Sequence, residues 1–330
     1  MSIRLGRSSR LLPLLPVVCV LASLSRPAPI SAGSDPPFDP GRAGFVVRVK
    51  GEPVPYRVFA VFVLPGESLD VEALDGEDAQ EFTLWAEAGD VVRKEPRKWV
   101  WKAPSTHGSF ALRVSRVKSG DDILLNAFVM VPYSRVSKGV LNGYRIGEYP
   151  AKPFRGLPIY KPPAGFVEVT AENMARPVSP HFSLGQFLCK QKSGFPKYLV
   201  LRERLLLKLE LLLEALNKKG HRADTFHIMS GYRTPHHNRA IGRVKHSRHL
   251  WGGGADIFVD QSPKDGDMDD LNGDGRSDWR DADVLHRLVD ELFGKPVLSR
   301  LTGGLARYRR NPGHPPFVHI DARGWRARWK

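Results

Sequence analysis

Residues 230–260, SGYRTPHHNRAIGRVKHSRHLWGGGADIFVD, concentrate side chains able to do chemistry. His249 and Asp256 stand seven residues apart, with Gly252, Gly253 and Gly254 between them. A second segment near the C-terminus, FVHID, supplies His319. Two imidazoles and one carboxylate are the donor set of a catalytic zinc, which takes three protein ligands and leaves its fourth position to water. The glycines allow a tight, closely packed turn, so that Asp256 on the next strand returns to His249. Phe317, His319 and Asp321 share one strand face by the period of two. Each residue alone reads as a satisfied core side chain; the set in this order reads as a metal site.

A second cation site is written in DLNGDGRSDWRD. Asp270, Asn272, Asp274, Asp278 and Asp281 fall on positions 1, 3, 5, 9 and 12 of an EF-hand-type calcium loop. Gly275 takes position 6, where the chain must turn sharply, and Arg276 offers its carbonyl at position 7. Asp281 replaces the usual glutamate, and no helix is predicted before the loop. The competing reading is an acidic solvated loop. A bound calcium would pin this insertion beside the zinc site.

The elements that position these groups follow from composition and pattern. The chain has 330 residues, 42% hydrophobic and 26% charged, with a formal net charge of +15. That is long enough for two cores, and the charge favours anionic surroundings. Arg4, Arg7 and Arg10 precede the apolar run Leu11–Leu24, with Ala32 as a cleavage residue, so residues 1–32 read as an export signal. An uncleaved anchor is the alternative; Pro13 and Pro16 interrupt the run, and no stable membrane span is expected after cleavage. Cys19 lies inside it, leaving Cys189 as the single cysteine of the mature chain and no internal disulfide. Residues 33–132 carry short apolar runs such as FVVRVK, YRVFAVFVL and KWVWKA between turn formers, predicting a small all-β sandwich or barrel. Trp99 and Trp101 share a strand face there and suit core packing better than sugar stacking. Residues 133–177 form a Pro-, Gly- and Tyr-rich connector of extended chain, free to lie on the second domain or to swing. Residues 178–330 mix helices and strands without βαβ alternation, predicting an α+β domain. A helix is expected from about Tyr198 to Lys219 and another over 279–293.

The segments SGYRTPHHN, SRHLWGGGAD and FVHID resemble the zinc D-alanyl-D-alanine carboxypeptidase family of cell-wall peptidases, related to VanX-type dipeptidases and phage endolysin peptidases. Ser247, His249, Gly252 and Asp256 fit its Ser-x-His…Gly…Asp pattern, and His319 fits its third ligand. Gly254 stands where many members have alanine. HFSLGQFLC also resembles the segment that opens this domain, so the resemblance covers about residues 178–330. It implies that Arg233 binds a substrate carboxylate, for which a planar guanidinium is suited. It also implies a His, Asp or Glu acting as general base three residues before the last ligand, where this chain has Pro316. His314 is the nearest titratable replacement. Asp321 is the second candidate, although it also suits support of a metal ligand.

The implied function is an exported, zinc-dependent hydrolase of peptidoglycan stem peptides, a D,D-carboxypeptidase or endopeptidase, in the periplasm or cell wall of a bacterium. Pro316 motivates an alternative, a wall-binding protein that keeps the metal and has lost the base. A nucleic-acid partner is not expected, since only charge points to one and no binding motif appears. Oligomeric state is not encoded in any pattern here.

Overall fold

The computed structural model describes residues 37–74 and 81–329. The expected export signal and Cys19 lie outside these residues. No helix among the described residues is long and apolar enough to cross a membrane.

From Arg42 to Val129 the short apolar runs form strands β1 (Arg42–Val49), β2 (Glu52–Tyr56), β3 (Val58–Val63), β4 (Ser68–Ala73), β5 (Phe82–Ala86), β6 (Asp90–Glu95), β7 (Lys98–Lys102), β8 (Gly108–Arg116) and β9 (Asp122–Val129). One sheet has the order β2-β1-β4-β7-β6, the other β3-β9-β8-β5. Their inner faces share a core: Phe45 of β1 meets Phe82 of β5 with ring centroids 5.1 Å apart. Trp99 and Trp101 of β7 are buried in it, and the Trp101 indole donates to the Ala88 carbonyl at 2.8 Å. Burying such side chains contributes about 1.5–3 kcal/mol each. Packing is therefore the role the structure gives both tryptophans.

The connector lies on the C-terminal half. Tyr144, Ile146, Tyr149 and Tyr160 are buried. The Tyr149 hydroxyl donates to the Leu250 carbonyl at 2.8 Å and sits 3.0 Å from that of Tyr232. The Trp251 indole donates to the Lys161 carbonyl at 2.8 Å. Single 3-10 turns at Tyr133–Arg135, Phe154–Gly156 and Pro158–Tyr160 interrupt the extended chain, as suits a segment poor in helix formers.

Helix α1 spans Glu203–Lys218, starting later than its pattern suggested. Lys197–Leu199 is instead a strand paired with Gly165–Val169. Tyr198 through Leu201 are buried in succession, which an extended segment covered on both sides allows and a helical stripe does not. The half is built on a five-stranded sheet of β10 (His227–Ser230), β11 (Gly254–Phe258), β12 (Gly304–Tyr308), β13 (Phe317–Asp321) and β14 (Ala327–Arg328), in the order β10-β11-β13-β12-β14. The short helix α2 (Pro235–Ala240) follows β10, capped by the Thr234 side chain. Helix α3 (Trp279–Phe293) packs on β12 and β13 and against α1. The two halves meet through buried acids. Glu214 of α1 accepts from the Tyr56 hydroxyl at 2.8 Å and pairs with Arg42, while Glu52 pairs with Arg204 and Arg300.

Candidate metal centre

Sheet register delivers two of the three expected ligands. Asp256 on β11 and His319 on β13 are direct antiparallel partners. His249 comes from the 3-10 turn Arg248–Trp251, which ends in left-handed Gly252 (φ 62°). A Cβ at Gly252 would lie 2.1 Å from the Val200 carbonyl oxygen, so only glycine fits this turn.

His249 Nε2 lies 3.2 Å from Asp256 Oδ1 and 3.2 Å from His319 Nδ1, and His319 Nδ1 lies 2.7 Å from Asp256 Oδ1. A tetrahedral zinc with ligands at about 2.0–2.1 Å holds its donor atoms roughly 3.3 Å apart. The triangle is thus of the right size and slightly contracted. Each imidazole is oriented from behind: His249 Nδ1 faces the Gly231 carbonyl at 2.6 Å, and His319 Nε2 faces Asp321 Oδ2 at 3.4 Å. Such partners fix the ring and present the opposite nitrogen to a metal. All three ligands are buried. Burial lowers the pKa of His249, favouring the neutral imidazole that a metal needs. Burial opposes ionisation of Asp256, but His249 and His319 outweigh it and hold the carboxyl well below its usual range. The donor types, their spacing and their outer partners all fit a zinc ion.

A protein-family model described as Peptidase M15 matches residues 180–270. It supports a zinc peptidase of that family. The matched stretch holds His249, Asp256 and Arg233 and stops short of His319, which the sheet adds. No curated protein matches the chain.

The other expected residues take distinct places. Arg233 lines the same cavity of about 550 Å³ as the ligands. Its guanidinium donates to Asp256 Oδ2, and its Nε to Ser230 Oγ at 2.8 Å. His314 also lines the cavity, edge-on to Phe317. Its Nε2 is 2.8 Å from the Asn311 amide nitrogen and its Nδ1 2.9 Å from the Pro315 carbonyl. Asp321 sits behind His319 and is not among the cavity-lining residues. Arg323 and the Gly304 N–H hold its oxygens. That placement is one that supports a ligand rather than one that reaches a substrate.

The Asp270–Asp281 loop turns its carboxylates to the backbone. Asp270 accepts from the N–H groups of Gly273 and Gly275, at 2.7 and 2.6 Å. Buried Asp281 accepts from Leu271 and Asn272, and Asp278 caps α3. Among the described residues, His249, Asp256 and His319 form the one compact His/Cys/Asp/Glu group able to hold a metal.

Sequence reasoning missed several neighbours. Lys190, near Arg233, has its pKa lowered by burial and then by that guanidinium. Arg248, adjacent to a ligand, is buried; it donates to the Ile159 carbonyl at 3.0 Å and stacks on Tyr160. Arg243, Lys245 and Trp329 complete the rim. Arg248 and Lys190 sit in or beside the motifs but at positions that carry no role in them, and Arg243 and Lys245 lie in an exposed loop, so none left a signal.

Proposed function

We propose that this protein is an exported zinc peptidase that cleaves peptidoglycan stem peptides, as a D,D-carboxypeptidase or endopeptidase. The convergence of His249 Nε2, Asp256 Oδ1 and His319 Nδ1 at the base of a cleft carries the reading. Lewis acidity toward water and the scissile carbonyl is the chemistry that a zinc held there supplies. Around it, Arg233 is positioned to take a substrate carboxylate in place of part of its contact with Asp256. His314, which lines the cavity with His246, is assigned the proton, and it must first release the Asn311 amide. Asp321 holds His319, and Phe154, Tyr160, Phe317 and Trp329 keep the cleft walls apolar. Calcium in the Asp270–Asp281 loop stays in the same proposal on sequence spacing alone, and its binding would have to draw Asp270 and Asp281 away from the backbone N–H groups they now accept from. A second reading, a metal-retaining wall-binding protein without turnover, is favoured by buried Pro316 at the expected base position.

The test is elemental analysis and digestion. Purified protein should carry one zinc and release D-alanine or shortened peptides from peptidoglycan, read by mass spectrometry. His249→Ala should lose both the metal and hydrolysis. Undiminished zinc in that variant refutes the site, and zinc without any cleavage moves the protein to the second reading.

A further inference from the structure

The cleft beside the metal centre is charged more asymmetrically than a zinc site requires. Its lining includes five Lys or Arg side chains, Arg233, Arg243, Lys245, Arg248 and Arg323, against one carboxylate, Asp256. Three of these cations have partners: Arg233 has Asp256, Arg323 has Asp321, and Arg248 has the Ile159 carbonyl. Arg243 and Lys245 make no ion pair among the described residues. Both residues, with Arg239, also line a second cavity whose single acid is Glu148.

The loop that carries them is fixed. Buried Asn238 receives the Arg243 N–H at 3.0 Å and donates its side-chain amide to the carbonyls of Arg243 and Val244 at 3.2 and 3.1 Å. The Ser247 N–H closes a turn on Val244 at 3.1 Å, and His246 lies against Phe154 with ring centroids 5.0 Å apart. Two exposed cations two residues apart are therefore held by a pinned backbone at the rim of the cleft. Neighbouring like charges repel, and low-dielectric walls focus their field on an incoming anion.

We propose that Arg243 and Lys245 form a second anion subsite, so that the substrate is an acidic peptide with a side-chain carboxylate besides the carboxylate taken by Arg233. This rests on the peptidase reading above and narrows its substrate class.

The experiment uses the zinc-loaded full chain and two peptide pairs. One pair is acetyl-Glu-D-Ala-D-Ala and acetyl-Gln-D-Ala-D-Ala; the other places the Glu or Gln one residue further upstream. Calorimetry reads binding and mass spectrometry reads cleavage. In at least one pair the acid should bind about 5–25-fold more tightly, with the preference shrinking as salt is raised. Arg243→Ala with Lys245→Ala should bring the ratio within twofold, whereas the charge-retaining Arg243→Lys should keep it. The single variant Lys245→Gln should lower it and serves if the double variant fails to fold. Equal binding within both pairs, or a preference that survives both neutralising variants, overturns the subsite. An acid preference without hydrolysis of any peptide retains the subsite and rejects the carboxypeptidase reading, leaving the peptidoglycan digestion to decide the endopeptidase.

Discussion

Lys208 should make the protein more stable as the solution becomes alkaline. It sits in the middle of α1, 1% exposed, with Nζ donating to the Leu301 and Asp321 carbonyls at 3.0 and 2.9 Å and lying 4.5 Å from the centre of the Phe293 ring. Burial pushes its pKa from 10.5 down to about 7, with Asp321 pulling the other way. Between these values the unfolded chain binds a proton that the folded chain does not, so stability rises with pH across that window. A group with these two pKa values contributes about 2–3 kcal/mol more stability at pH 9.5 than at pH 7.5, at 1.36 kcal/mol per unit. Urea unfolding at fixed salt and saturating zinc would measure it. Lys208→Met is the control, because it removes the titration. The two orphaned carbonyls offset its absolute stability by about 1–3 kcal/mol each, so the comparison is of slopes. A flat or falling wild-type curve over this range, or an equal rise in Lys208→Met, would refute the reasoning.

The proton-transfer assignment predicts that His314→Ala cuts turnover about 10²–10⁴-fold with zinc content unchanged, whereas Asp321→Asn weakens zinc binding about 10–100-fold. Wild-type turnover in the His314 variant, or undiminished metal affinity in Asp321→Asn, would reassign the residue concerned. Calcium at a hundredfold excess over its dissociation constant should raise stability by about 2.7 kcal/mol if the loop binds it. A melting curve indifferent to calcium and chelator, with zinc kept saturated, would leave Asp270–Asp281 as a backbone-capped turn.

Strand patterns were legible where one face is buried. In β1, Phe45, Val47 and Val49 are buried at alternate positions, and this period-2 signal survives in the sequence. In β6, DVVRKE, every residue is exposed, so no core contact imposed a pattern, and its pairing with β7 alone makes it a strand. The start of α1 was misread because the leucines continue upstream into a segment buried on both sides. Apolar content alone does not separate a buried strand from a helix. The connector's course was hidden for a different reason. Its anchors are hydrogen bonds between aromatic side chains and main-chain carbonyls more than 85 residues away, such as Trp251 to Lys161, and carbonyls carry no sequence signature.

The convergence of the candidate ligands was readable because its geometry is partly local. The His249–Asp256 spacing is one turn plus the start of a strand, and strand parity places His319 and Asp321 on the same side. The rim was not readable, because it forms where the 242–247 loop, the connector and the C-terminus meet. Nothing in RVKHS distinguishes Arg243 and Lys245 from ordinary solvated cations. What separates them is Asn238, whose buried amide fixes their backbone beside the ligand His249. The same division applies to the proton-transfer group. Pro316 is buried and offers no titratable atom, so the proposed mechanism gives that role to a side chain that the fold brings into the cleft. His314 is there, with Asn311 and Pro315 occupying its nitrogens. In that mechanism His314 must first give up its contact with Asn311, so replacing Asn311 should change turnover without changing zinc content.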